Sequence, residues 1–344
     1  MPYDVTIGIP VYNVEKYIRQ TLNSALAQTF PNIEFIICDD CGTDSSIDIV
    51  KEYQISHPRG KDIRIVKQHE NMGVGCARNL IIEEAQSEYI FFLDSDDLIV
   101  ENAIEFLYHY AKKFDADIVY GSMEKILVYE NNKKIKSIHY PFSVFLEENE
   151  FAKYVYRKYD GIQASSCNCL VKLDIYRENS LRYYPINYWE DMIMSIIMPI
   201  YINRAVLLPD ITYSYMCRIG TLSNYQKRTH IDKEEIQKII WAVNKIKEKS
   251  DFVREKVFFS LWINKVMMTC FYIVCTIIRN KDIISPSFNE KELHNVMRSS
   301  LNLLEVLRFR DRFFSNFFLY LLDVMPDTFS IMTIKKFGKL RNLI

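Results

Sequence analysis

Three carboxylates lie within four residues in the segment Asp94-Ser95-Asp96-Asp97. At this spacing the charges repel one another, so the cluster gains nothing structurally on its own. Hard divalent cations prefer oxygen ligands, and Mg²⁺ or Mn²⁺ commonly binds through one or two carboxylates together with the phosphates of a substrate. The segment therefore predicts a divalent metal site. The competing interpretation is a helix N-cap flanked by solvated acids.

Three other polar segments lie beside apolar runs: Pro10-Val11-Tyr12-Asn13, residues 39–44 and residues 71–79. Pro10 is expected to end a strand, which leaves an aromatic and an amide side chain at the edge of a sheet. Residues 39–44 read Asp-Asp-Cys-Gly-Thr-Asp, a pattern typical of an acidic turn that caps the next helix. We expect the four segments to build one ligand site.

The apolar runs beside these segments predict strands at 5–10, 33–38, 63–66, 89–94 and 117–120. Between them, apolar residues at helical spacing predict helices, one of which carries Ile18, Leu22 and Leu26 on a single face. Alternating strands and helices with continuously apolar strands indicate an α/β fold, a mostly parallel sheet flanked by helices. Ligands of such sheets bind beyond the carboxyl ends of the strands, where the polar segments fall.

Composition separates the chain into two regions. Residues 1–225 carry 22 Lys and Arg against 31 Asp and Glu, whereas residues 226–344 carry 21 against 13. The basic residues form no continuous stripe interleaved with exposed aromatics, so a nucleic-acid partner is not expected. The first residues lack the basic start and apolar run of a signal peptide, which predicts a cytoplasmic protein.

Together the four segments resemble the nucleotide-sugar-binding motifs of family 2 inverting glycosyltransferases with the GT-A fold, of the bacterial surface-polysaccharide type. Their order and spacing also match that family, although Cys41-Gly42 stands where the family usually has Gly-Ser. The resemblance covers about residues 3–225. It implies a GT-A catalytic domain over 1–225, followed by a helical, basic region over 226–344.

The resemblance implies a role for each motif. A nucleotide sugar, with UDP as the expected nucleotide, would be bound by Pro10, Val11, Tyr12, Asn13, Asp40, Asn71, Gly73, Arg78, Asp94 and Asp96. Asp40 would accept a hydrogen bond from the base, and Arg78 would either approach the diphosphate or support the acidic segment. Asp96 would contact ribose or metal, with Asp94 or Asp97 completing the site for Mn²⁺ or Mg²⁺.

An inverting transferase also needs a base that removes a proton from the acceptor hydroxyl. Tyr188-Trp189-Glu190-Asp191-Met192 resembles the family's Glu-Asp motif, which implies that Asp191 is the base and that Glu190 shapes the acceptor site. Taken alone, two acids at a helix start are more often charge capping. Three further residues are weaker candidates for the acceptor side or for a closing loop: Asn168, Trp189 and Arg218.

The basic C-terminal region has several predicted roles. Residues 331–344 carry Ile331, Ile334, Phe337 and Leu340 on one side with four cations and no acid, which fits either a membrane-surface helix or an ordinary solvated helix. The region could therefore contact an anionic membrane from the cytoplasmic side, serve a glycan or lipid-linked acceptor, or pair two subunits into a homodimer. The alternative for the whole chain is a catalytically inactive sugar-nucleotide-binding or interaction protein of the same fold.

Overall fold

The computed structural model describes residues 2–128, 133–158, 162–218 and 228–344. The chain divides into two compact units. The first contains residues 1–151 and 164–224, and the second contains residues 152–163 and 225–344. A short segment from within the predicted catalytic domain thus belongs to the second unit.

The first unit is built on a sheet whose N-terminal half is parallel, as the apolar runs predict. Its strands are β1 (Tyr3–Val11), β2 (Ile33–Asp39), β3 (Ile63–Lys67) and β4 (Ser87–Phe92), in the spatial order β3-β2-β1-β4. The connecting helices are α1 (Ile18–Leu26), α2 (Ser46–Ser56) and α3 (Val74–Glu84). Val11 is paired with Asp39, and Asp39 with Lys67, so three strands end together at one edge.

The other half of the sheet is mixed. Strand β9 (Cys169–Lys172) runs antiparallel between β4 and β6 (Ile118–Val128), while β10 (Ala205–Cys217) runs parallel to β6. The remaining elements of this half are β5 (Leu98–Ile99), α4 (Ala103–Phe114), β7 (Lys133–Ile138), β8 (Ser143–Phe145), α5 (Glu150–Arg157), α6 (Leu173–Glu178) and α7 (Glu190–Ile197). The antiparallel β9 joins two parallel parts and brings residues 166–168 to the end of β4.

The core of this unit explains why β1 and β2 are apolar throughout. Both faces of these strands are covered, so Ile7, Ile9 and Phe35 are essentially inaccessible. Burying both faces requires continuous apolar runs instead of alternation. The polar groups of this half of the sheet are therefore concentrated at the strand ends.

The second unit is mainly helical. It contains β11 (Ile231–Asp232), α8 (Lys233–Lys247), α9 (Ser250–Val253), α10 (Phe259–Arg279), β12 (Ile284–Ser285), α11 (Glu290–Met297), α12 (Leu303–Arg308), α13 (Phe313–Val324) and α14 (Asp327–Leu340). Helix α10 is long and apolar enough to cross a membrane by length and composition, but 78% of its most apolar window is buried inside the structure. Fully buried Trp262, Val266 and Val274 make it the core helix of the unit.

The amphipathic face predicted for the last helix is wrong in its phase. Ile331 and Ile334 of α14 are fully buried, because the helix packs that side against α10 and α11. Phe337 and Leu340 are exposed instead. The predicted single apolar side is therefore divided between a core-facing half and an outward-facing half.

Candidate active site

The loops that follow β1 and β2 are tied together by polar side chains. Asn13 has φ +52°, and its Oδ1 accepts a hydrogen bond from the Thr43 amide at 2.7 Å. The Glu15 amide donates to Asp44 at 2.9 Å. Beside this junction the Tyr12 ring is 47% exposed, whereas Pro10 and Val11 are buried in the strand. Tyr12 therefore offers a flat surface at the edge, and the two strand residues support it.

Asp40 fixes the loop that precedes α3. Its Oδ1 accepts from Gln68 Nε2 at 2.6 Å and from the Met72 amide at 2.9 Å, and its Oδ2 accepts from the Gly73 amide at 3.0 Å. Burial raises the pKa of Asp40, and these hydrogen bonds oppose the rise. The sequence predicted that Asp40 accepts a hydrogen bond from a nucleotide base. In the structure both of its carboxylate oxygens accept hydrogen bonds from the protein itself.

Gly73 begins α3 with φ +85°, a conformation that disfavours any residue with a Cβ. A Cβ on Gly73 would also lie 3.1 Å from Asn187 Oδ1, and one on Gly75 would lie 3.0 Å from the Tyr184 carbonyl oxygen. The glycines therefore allow the start of α3 to approach residues 184–187 closely. Asn71, two residues before Gly73, is exposed at the same loop.

The three acids after β4 have different environments. Asp94 and Asp96 keep 33% and 25% of their side-chain surface accessible. Asp97 is buried, and its carboxylate accepts from Tyr213 Oη at 2.8 Å and from the Met216 amide at 2.7 Å. Burial, and secondarily the charge of Asp94, raise the pKa of Asp97 to about 8. Asp97 thus anchors the segment to β10, so Asp94 and Asp96 are the better-placed metal candidates of the three.

Arg218 contacts the acidic segment 94–97 through Asp96. Its Nη1 donates to the Asp96 carbonyl oxygen at 2.5 Å and lies 3.3 Å from Asp96 Oδ2. The guanidinium also stacks over the Tyr17 ring, 4.1 Å from its centroid. Arg218 therefore holds the acidic segment from the end of β10.

Arg78 is buried at the centre of the site and joins three carboxylates. Its Nη2 donates to Asp94 at 3.0 Å, and its Nη1 donates to Asp191 at 2.8 Å and to Glu190 at 3.2 Å. Only 2% of its side chain is accessible. Of the two roles that the sequence left open for Arg78, this geometry fits support of the acidic segment and leaves no exposed guanidinium for a diphosphate.

Glu190 and Asp191 begin α7 and share the Arg78 guanidinium. Burial, and then the charge of Asp191, raise the pKa of Glu190 to about 7. Burial also raises the pKa of Asp191, against the attraction of Arg78. Asp191 Oδ1 accepts a further hydrogen bond from Ser166 Oγ at 2.6 Å, while 24% of its side chain remains accessible. Asp191 is thus an oriented carboxylate with an exposed edge and a proton affinity above that of an ordinary aspartate.

The segment that precedes α7 has a strained backbone and is hydrogen-bonded to α3. Trp189, half-buried, caps the helix with φ +71°, which is costly for a bulky side chain. Upstream, the Asn79 side chain donates to the Tyr183 carbonyl and accepts from the Tyr183 amide, both at 2.9 Å. Helix α3 therefore holds residues 183–190 through a reciprocal pair of hydrogen bonds.

Asn168 does not line the site. It is buried with φ +63°, its Nδ2 donates to the Gly121 carbonyl at 2.5 Å, and its Oδ1 accepts from Thr212 Oγ1 at 2.5 Å. These bonds use the amide to join β6, β9 and β10. Ser166, two residues earlier in the chain, contacts the Asp191 carboxylate instead.

Sequence reasoning gave no role to four residues of the site: Gln68, Asn79, Ser166 and Tyr213. Asn79 ends the segment 71–79, Ser166 lies two residues before Asn168, and Tyr213 lies five residues before Arg218. Nothing in the sequence marks Gln68 as a partner of Asp40. Its contact arises because β2 and β3 end at the same edge.

The acidic edge fits a divalent cation that arrives with a ligand. Within the described ranges, no group of three or more His, Cys, Asp or Glu side chains is arranged as a preformed metal site. Two accessible carboxylates, Asp94 and Asp96, remain at the edge. Mg²⁺ usually keeps water ligands and binds through one or two carboxylates plus phosphate oxygens, so this donor set suits it.

The comparisons with known proteins identify the family to which the chain belongs. The family model of glycosyl transferase family 2 matches residues 6–179, just over half of the chain. The chain belongs to this family. It is 37% identical over 118 residues to "Glycosyltransferase GlyG" of Streptococcus pneumoniae. That alignment covers 34% of this family 2 chain and 38% of the relative, so well under two thirds of the relative is matched.

Solved structures show which fold the family 2 chain has. Residues 1–349 of S. aureus TarS, in complex with UDP-GlcNAc, match with a TM-score of 0.70 at 16% identity, covering 98% of this chain and 92% of that one. The mannosyltransferase PcManGT from Pyrobaculum calidifontis, in complex with GDP-Man and Mn²⁺, matches with a TM-score of 0.50 at 14% identity, covering 81% and 76%. The fold is therefore the predicted GT-A fold with a helical C-terminal region.

Proposed function

We propose that this protein transfers a sugar from a nucleoside diphosphate sugar, with UDP as the nucleotide, to a hydroxyl group of a glycan or lipid-linked sugar, with inversion at the anomeric carbon. The observation that carries the proposal is the Arg78 guanidinium, which joins Asp94 of the acidic segment to Asp191 at the start of α7. A donor-side acid and a candidate base are thereby held by one buried cation.

The donor site in this proposal is the edge formed by the ends of β1, β2 and β4. The accessible Tyr12 ring can stack on the nucleobase, and the loop that Asp40 fixes can line the opposite side. Asp94 and Asp96 would hold Mn²⁺ or Mg²⁺, which neutralises charge on the departing nucleoside diphosphate when bound. PcManGT with GDP-Man and Mn²⁺ is a precedent for this pairing within the same fold.

The base in this proposal is Asp191. Its carboxylate takes the proton of the acceptor hydroxyl while the acceptor oxygen bonds to the anomeric carbon and the bond to the diphosphate breaks on the opposite face. The hydrogen bonds from Ser166 and Arg78 orient the carboxylate, and its accessible edge leaves room for the acceptor. Trp189, next in the chain, offers an apolar face to a sugar ring.

The predicted cytoplasmic location, peripheral to a membrane, belongs to the same proposal. A lipid-linked acceptor would be presented at the membrane surface, and the basic C-terminal region would favour an anionic surface. The relative GlyG and the structural neighbour TarS give no acceptor for this chain, so the acceptor is proposed only as a class.

Calorimetry tests the donor site. UDP, GDP, CDP and dTDP are titrated into the wild type and into Asp96→Asn, each with and without Mn²⁺. We expect one nucleotide to bind with metal dependence, and the variant to lose the metal-dependent part. A folded protein that binds none of the four would refute the donor site.

Release of nucleoside diphosphate from the matching donor tests the base. We expect Asp191→Asn to bind donor like the wild type while losing at least about 100-fold in turnover, the usual contribution of a positioned base. Donor binding by a wild type that shows no turnover with water or with any glycan offered would instead support the catalytically inactive alternative. Equal turnover in the wild type and Asp191→Asn would assign the base elsewhere.

A further inference from the structure

The outward half of α13 is apolar along its whole length. Its inward side buries Asn316, Leu319, Leu322 and Asp323. The side chains on its outward side are Phe314 and Val324, which are exposed, and Phe313, Phe317, Phe318, Tyr320 and Leu321, which are half-buried. Phe314 is 85% exposed. Monomeric soluble proteins seldom expose a contiguous apolar surface of this kind without a binding role.

Helix α14 continues this surface. The Phe318 and Phe337 rings lie 4.6 Å apart, centroid to centroid, so the outward sides of α13 and α14 meet. We call the outward side chains of α13 together with Phe337 the aromatic face. Leu340, one turn beyond Phe337 on α14, is 72% exposed.

The segment that carries the aromatic face has unpaired cations, whereas its acids are paired. Three of the four acids between residues 303 and 344 pair with cations of the same unit: Glu305 with Arg254, Asp311 with Arg157 and Asp323 with Arg298. The fourth acid, Asp327, lies 2.6 Å from His294 Nδ1. Five cations have no ion-pair partner within 4 Å in the described ranges, namely Arg308, Arg310, Lys336, Lys339 and Arg341. The unpaired charge of the segment that carries the aromatic face is therefore positive.

We propose that the aromatic face docks the second unit onto an anionic lipid bilayer. Aromatic side chains are favourable at the boundary between headgroups and acyl chains, and neighbouring Lys and Arg attract anionic headgroups. A second copy is a poorer occupant, because an isologous contact would bring the same five cations of both copies together. This surface differs from the face predicted from the sequence, since Ile331 and Ile334 are core residues. It assigns a specific surface to the peripheral membrane location proposed above, and it does not depend on the transfer reaction.

Vesicle flotation of the full chain tests the proposal. The vesicles consist of phosphatidylcholine alone or of phosphatidylcholine mixed with phosphatidylglycerol. We expect the wild type to float with the anionic vesicles and much less with the neutral ones. Phe314→Glu should weaken flotation at least about tenfold, because it removes an inserting ring and adds a repelled charge. High salt should weaken wild-type binding, since the screening length shortens to about 3 Å at 1 M.

Two variants control the experiment. Ile55→Glu removes an 88%-exposed apolar residue from α2 of the first unit, which is not part of the aromatic face, and should leave flotation unchanged. Lys336→Glu/Lys339→Glu keeps the rings but reverses two charges, and should reduce binding to anionic vesicles only. Deleting residues 331–344 is avoided because it would remove core residues. Thermal melting and nucleotide binding verify that each variant is folded.

Ring insertion has its own readout. Phe314→Trp should show fluorescence quenching by brominated lipid beyond that of the wild type, with its three native tryptophans. Equal flotation of the wild type and Phe314→Glu would overturn the proposal. So would a wild type that ignores vesicles but forms a dimer in sedimentation velocity that Phe314→Glu dissociates, because a second copy would then cover the aromatic face.

Discussion

Replacing Arg78 by Gln removes the one cation that Asp94, Glu190 and Asp191 share. Breaking a buried ion pair by removing one partner costs about 3–5 kcal/mol, because the remaining charges are left uncompensated. We therefore expect Arg78→Gln to lower the free energy of unfolding by about that amount at pH 8. The cost should shrink at lower pH, where the carboxylates can be protonated.

The size of the pH effect follows from the 2.8 Å contact between Arg78 Nη1 and Asp191 Oδ1. With charge centres about 4 Å apart and an effective dielectric constant near 20, the attraction is about 4 kcal/mol. Because Asp191 is partly accessible, solvent screening reduces this figure, and we expect the pKa of Asp191 to rise further when Arg78 is lost.

The direction in which stability changes with pH follows from the linkage between proton binding and folding. An acid whose folded pKa is raised holds a proton that the unfolded chain has lost, so stability falls as pH rises from the unfolded pKa through the folded pKa. Losing Arg78 raises the pKa values of Glu190 and Asp191 in the folded state, so the stability deficit of Arg78→Gln relative to the wild type should grow from pH 5 to pH 8. Turnover should change in the same sense, with the acid limb of kcat/KM moved to higher pH.

Urea unfolding at pH 5 and pH 8 measures the effect without any substrate, and Arg78→Lys is the matched control. The lysine keeps the charge, so its deficit should vary little with pH even though it loses the fork geometry that reaches three acids. A deficit in Arg78→Gln that is the same at both pH values would refute the electrostatic reasoning. Arg78 would then act through packing against the Phe92 and Tyr183 rings alone.

Two further variants test the supports of the site. Asp97→Asn keeps an acceptor for the Met216 amide and removes an acid whose pKa is raised to about 8, so its stability relative to the wild type should increase by about 4 kcal/mol as the pH rises from 5 to 8.5. Denaturant curves at the two pH values check this, and a difference independent of pH would contradict it. Gly73→Ala forces a Cβ into φ +85° beside Asn187, which should cost about 1 kcal/mol or more and weaken nucleotide binding. Calorimetry measures this, and unchanged affinity would separate the loop from the donor site.

The parallel half of the fold could be predicted because each apolar strand is buried on both faces and ends in polar residues. Strand β9 could not, since Cys169–Lys172 is four residues long and its direction depends on the two strands that it joins. The phase of α14 was mispredicted for a related reason. Ile331 and Phe337 are equally apolar in the sequence, and only packing against α10 and α11 decides which of them is buried.

The sequence could predict that the motif residues lie close together, but it could not predict which partners each of them contacts. Asp94, Asp96 and Asp97 are chemically identical carboxylates, and the structure separates them by the partners that other loops supply. Tyr213 lies more than one hundred residues from Asp97 in the chain and still determines its environment. The spacing of residues within a motif indicates only their local geometry. The burial and charge of these acids depend on contacts with segments that are distant in the sequence.

Several residues in the loops around the site have strained backbone conformations, and polar contacts hold these loops in place. Residues with positive φ occur after β1, after β2, before α3, before β9 and before α7: Asn13, Cys41, Gly73, Asn168 and Trp189. Such conformations persist only where the surroundings over-determine them. Here the Cys41 amide donates to Asp39, the Gly73 amide to Asp40, and the Asn168 side chain to Gly121. Asp39 and Asp40 therefore stabilise these loops before any ligand binds, whereas Asp94, Asp96 and Asp191 keep part of their surface accessible, as the proposed transfer reaction requires.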